Sequence, residues 1–161
     1  MSVKGFIALF QKEFQQYSLL EEKARLKYQA IIDNDITKLL AIVTEEQAVL
    51  RLIEELEEER ACYLKNLAQE KGLGEQIISF AELLTFLPEE KSELNKLRQE
   101  FVDLLSSLQQ LNEQNRQMIE ASLQINDLSQ EMIKELVEQG EIPSAQKNKD
   151  EQPEHIVDKK A

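Results

Sequence analysis

Tryptophan is absent from this 161-residue chain, which has only four glycines, three prolines, one cysteine and one histidine. So little Gly and Pro leaves scant material for tight turns and hairpins. The lone Cys62 excludes an internal disulfide and fits a reducing compartment. With His155 close to the chain end, neither zinc nor di-iron bundle sites find their usual ligands. Cys62 likewise has no histidine in the helical region to activate it. Gly72 and Gly74 are too sparse, and follow no strand, to make a phosphate loop. Catalysis and a cofactor are therefore not expected. No apolar run approaches the ~20 residues of a membrane span. The five apolar residues within "MSVKGFIALFQKEF" are too few for an export leader. A cytoplasmic protein without membrane insertion is expected.

What is present is helix-forming and acidic. Leu, Glu, Gln and Lys dominate, all favourable inside helices. Nineteen basic against thirty-one acidic residues give a net charge of −12. That balance disfavours nucleic acid, whose phosphates need clustered Lys and Arg, and anionic lipid surfaces. A solvated acidic surface is the ordinary use of such charge.

Apolar residues step at helical spacing from Val3 through Ile7, Phe10, Phe14, Tyr17, Ala24, Tyr28 and Ile31. Glu21 occupies one seam position, with Leu20 beside it. The three short polar residues Asp33, Asn34 and Asp35 predict a break. A second helix follows, with Ile36, Leu39, Val43, Leu50, Ile53, Leu56, Leu64 and Leu67 as its seam, ending at Gly72 and Gly74. Thr44 and Gln47 have capping-box spacing, but so periodic a pattern predicts continuous helix through them. "QIISFAELLTFL", residues 76–87, predicts a short helix that lids one end of a bundle. Pro88 suits the first turn of a long helix running to Gln139. The fold class predicted is all-α: an antiparallel helical bundle or coiled coil of three long helices plus one short helix, with an extended C-terminal helix. Residues 1–139 form the bundle, and 140–161 a disordered polar tail. Phe14, Tyr17, Leu50, Ile53, Leu97, Phe101, Leu104 and Leu108 are the expected core.

The long helix changes character along its length. Its d positions (Leu97, Leu104, Leu111, Met118, Ile125, Met132) stay apolar, but its a positions pass from Leu94, Phe101 and Leu108 to Asn115, Ser122 and Ser129. One polar a residue can set register in a coiled coil; three in succession exceed that need. Ile119 and Ile133 meanwhile enter the e column. The pattern predicts an exposed strip for a partner helix, with Met adapting to its shape. Asn and Ser keep the free strip soluble and can bond a partner's backbone. Permanent dimerisation as a coiled-coil tether, or weak self-association, would use the same strip.

The segment "LNEQNRQMIEASLQIN" resembles the Asn-x-x-Asn signature of FlgN-type flagellar export chaperones, carried by Asn112 and Asn115. The layout of two long helices, a glycine break, a short segment, a long helix and a polar tail is similar as well. The resemblance spans roughly residues 1–139 and does not include the tail. It implies a cytoplasmic type III secretion chaperone that captures the C-terminal helical segment of hook-associated proteins. Such a chaperone prevents their premature assembly and delivers them to the export apparatus. Leu111, Asn112, Asn115, Met118, Ile119, Ser122, Ile125 and Met132 are the client-binding residues expected here.

Overall fold

The computed structural model describes residues 2–140, so the expected tail lies, beyond Gly140, outside the described residues. The chain divides into two compact units, Met1–Met118 and Ile119–Ala161. Helices α1 (Val3–Ile32), α2 (Ile36–Glu70) and α3 (Phe80–Phe86) belong to the first unit, and α4 (Lys91–Glu138) runs through both. Among the described residues the fold is all-α, with three long helices and one short one.

Helix ends follow local chemistry. Ser2 caps α1 by accepting a hydrogen bond from the Gly5 amide at 3.1 Å. At the predicted break Asn34 adopts the left-handed conformation (φ 52°), so the Asp35 amide reaches back to the Ala30 carbonyl. The Asp35 side chain then caps α2 at the Lys38 amide. Gly72 (φ 74°) ends α2 with the same backbone arrangement, the Leu73 amide reaching back to the Ala68 carbonyl. Helix α2 is unbroken at Thr44, whose hydroxyl donates to the Leu40 carbonyl.

Two predicted boundaries move. Helix α3 starts at Phe80 rather than Gln76, because Ser79 and Glu82 form a reciprocal capping box that fixes its first turn there. Pro88 lies outside α4. Leu87, kept out of the helical region ahead of proline (φ −126°, ψ 63°), closes α3, and a turn beginning at Pro88 precedes the helix start at Lys91.

In the first unit α1 and α2 are antiparallel. Glu13 pairs with Arg60, Tyr17 with Glu57, and Lys27 with Glu46, so the partner number falls as the α1 number rises. Helix α4 instead follows the direction of α1: Phe101 meets Phe10, Phe14 and Tyr17, and Asn115 meets Ala24. Helix α3 and its flanking loops carry the chain back to begin α4. Ile78, Leu83 and Leu87 seal that end against Phe6, Ile7, Tyr63, Leu67 and Leu94.

Of the expected core, Ile53, Leu97, Phe101 and Leu108 are buried, while Phe14, Tyr17 and Leu104 are half-buried. Leu50 is a correction: it is 41% exposed, and its neighbour Val49 takes the buried place. Ile36 and Val43, also read as seam, are exposed. The apolar arc of α2 is wider than its neighbours can cover, and the buried part is Ile42, Val49, Ile53, Leu56, Tyr63, Leu67 and Ala68.

The α1 seam also holds a residue no apolar count would select. Glu13 is 1% exposed and accepts a hydrogen bond from Arg60 Nε at 2.9 Å. Burial pushes its carboxyl above the ordinary value, with the Arg60 charge and hydrogen bond opposing that shift. One turn on, Tyr17 donates to Glu57 at 2.8 Å, and burial together with that bond raises its hydroxyl to about 12. These pairs make a polar layer across the hairpin.

Candidate partner-binding face

In the first unit, Leu94, Phe101, Leu108 and Asn115 of α4 are buried, each a heptad after the last. With period 3.5 against a helical 3.6, such a column stays on one side of a helix. Leu108 joins Leu20, Ala24, Val49 and Ile53 in one cluster, with Leu111 packed against it. Leu111 is half-buried in that intramolecular contact.

Asn115, expected to be able to bond a partner's backbone, is engaged within the free chain. It is 5% exposed, and its Nδ2 donates at 2.9 Å to the Ala24 carbonyl on α1. Its Oδ1 is buried without a hydrogen-bond partner. The reason is geometric: the packed column continues one heptad further than the change from Leu to Asn implies. Asn112, three residues earlier, is exposed, and Met118 is half-buried. Beside them Glu113 accepts from Arg116 and Gln117, and these bonds hold its carboxyl below the usual range.

In the second unit every residue from Ile119 to Glu135 is exposed. Ile119, Ser122, Ile125 and Met132 of the expected site lie there, the apolar ones 40%, 65% and 63% exposed in chain order. Leu123, Leu128 and Ile133 are exposed with them and extend the apolar surface. Leu123 falls outside the heptad columns that led to the others, so periodicity alone passes over it. Ile125, Leu128 and Met132 recur at i, i+3 and i+7, the spacing of one helix face, and Ile133 and Ile119 lie to one side of it.

Among the described residues no group of three or more His, Cys, Asp or Glu is placed to hold a metal. No helix among them is long and apolar enough to cross a membrane. Neither a curated protein nor a solved structure matches the chain significantly. The family described as FlgN protein matches residues 1–146, seven residues beyond the expected end of the resemblance. A helical hairpin completed by a long helix, that helix ending in an exposed apolar face, is thus the form taken by a member of the FlgN family of flagellar chaperones, to which this chain belongs.

Proposed function

We propose that the strip formed by Ile119, Ile125, Leu128, Met132 and Ile133 receives the C-terminal helical segment of a hook-associated flagellar protein in the cytoplasm. The chaperone keeps that segment from assembling and delivers its client to the flagellar export apparatus. The observation that carries this reading is the unbroken exposure of residues 119–135 despite their large apolar side chains. An amphipathic client helix laid on the strip would bury Ile125, Leu128 and Met132, at i, i+3 and i+7, with Ile119 and Ile133 at its margin. Asn112 and Ser122, both exposed on α4, flank the apolar contacts with polar groups.

The test is calorimetric titration with a peptide from the C-terminus of a hook-associated protein. Ile119→Asp combined with Ile125→Asp should abolish binding while helicity is retained, since burying unpaired carboxylates is costly. Deleting residues 141–161 should leave affinity unchanged. Parental affinity in the double variant, or loss of binding on deletion alone, would move the site elsewhere. A permanent dimer that buries the same strip would instead show double mass in sedimentation and no exchange with the peptide.

A further inference from the structure

Helix α2 carries more apolar surface than its own packing consumes. Ile36, Leu40, Val43 and Leu50 are 65, 61, 36 and 41% exposed. They recur at i, i+4, i+7 and i+14, which sets them in one stripe about 21 Å long. The stripe runs beside the packed side of the helix, where Ile42, Val49, Ile53 and Leu56 are buried. A single exposed apolar residue needs no explanation, but four in register on one helix do.

The same face continues into carboxylates. Glu54 lies four residues after Leu50, and Glu58 four beyond that, each the next position along the stripe. Glu54, Glu58 and the adjacent Glu55 and Glu59 are all exposed, and none has a hydrogen bond or ion pair among the described residues. Where α2 faces α1 the acids are answered: Glu45 pairs with Lys23, Glu46 with Lys27, and Glu57 accepts from Tyr17. Arg51 and Lys65 are exposed to either side of the four carboxylates and pair with none of them. Like charges three and four residues apart on a helix repel, so this stretch gains from an external cation.

We propose that this face of α2 is a docking surface for a basic amphipathic helix. Ile36, Leu40, Val43 and Leu50 take its apolar stripe, and Glu54 and Glu58 take Lys or Arg side chains one to two turns beyond it. Charge decides the occupant. A second copy of this chain brings the same excess of acid, a net −12, and approaches against its own field. A basic helix instead answers the unpaired carboxylates and is steered towards them. The surface lies wholly on α2 and does not depend on the reading of residues 119–133 as the client strip.

The probe is a synthetic helical peptide of about 24 residues, built from Leu, Ala, Gln and Lys, with Leu along one face and Lys at both ends. One companion has the same composition with Leu scattered around the helix; another has Glu in place of Lys. Calorimetric titration into the full chain should find the probe about tenfold or more tighter than either companion. Ile36→Gln combined with Leu40→Gln should weaken the probe about tenfold or more. Glu54→Gln combined with Glu58→Gln should weaken it about fivefold and flatten its salt dependence. These four positions are exposed, and circular dichroism should find both variants as helical as the parent. Parental affinity in the Ile36→Gln, Leu40→Gln variant overturns the proposal. Equal binding of the scattered peptide also overturns it, by reducing the effect to bulk charge. A dimer of the parent that Ile36→Gln, Leu40→Gln dissolves would make a second copy the occupant, with the same consequence. Probe binding lost in the Ile119→Asp, Ile125→Asp variant but kept in the α2 variants would place the peptide on the client strip instead. The client reading is tested by its own peptide, so the two failures are distinguishable.

Discussion

Truncating Phe101 to Ala removes the ring that joins α4 to α1. Phe101 is 7% exposed, with the rings of Phe10, Phe14 and Tyr17 at 5.2, 5.8 and 5.2 Å. Deleting a well-packed Phe costs about 3 to 5 kcal/mol in lost transfer energy and residual cavity. Phe14 and Tyr17 are half-buried and can relax inward, which places the expected loss in the lower half, about 3 to 4 kcal/mol. For a helical domain of this size that lowers the thermal midpoint by about 10 °C or more. Leu50→Ala is the control: Leu50 is 41% exposed, and its loss should cost only about 0.5 to 1 kcal/mol. Urea titration followed by far-ultraviolet circular dichroism measures both. A Phe101→Ala loss near that of Leu50→Ala would refute the packing of α4 on the hairpin through this ring cluster.

Arg60→Met leaves the buried Glu13 carboxylate unpaired; with Arg60 about one-third exposed, the loss should be about 2 kcal/mol, between surface and buried pairs. Because burial raises the folded-state pKa of Glu13 above its ordinary value of 4.5, the folded protein holds that proton more tightly than the unfolded chain. Glu13 therefore adds stability as pH falls through the raised value, so the Arg60→Met deficit should narrow on acidification; a deficit that widens would reverse the sign. Ser79→Ala removes the capping-box hydroxyl of α3 and should cost about 1 kcal/mol by urea titration, with no loss pointing to a different start for the helix. Hydrogen exchange should find amides 119–135 less protected than 94–115, because no side chain in the former stretch is buried. Equal protection in the isolated monomer would contradict this.

The features legible in the chain alone are local. Asp33, Asn34 and Asp35 end one helix and cap the next because short polar side chains and a left-handed Asn act within a few residues. Gly72 ends α2 by the same short-range chemistry. The column Leu94, Phe101, Leu108 was also legible, since a heptad repeat marks one face of a helix whatever lies opposite it. Which part of a broad apolar arc is covered depends instead on how the helices assemble. On α2 the assembly covers Val49 and leaves Leu50 in water, a choice that depends on where α1 and α4 sit. It alone made Glu13 a core residue, because a buried carboxylate is tolerable only with a guanidinium such as Arg60 across the helix pair. It also moved the end of the buried column to Asn115, since an amide reads as polar in sequence until an acceptor 91 residues away, the Ala24 carbonyl, is brought against it. Helix ends answer to neighbours in the chain, whereas burial of a polar group answers to a partner that only folding supplies.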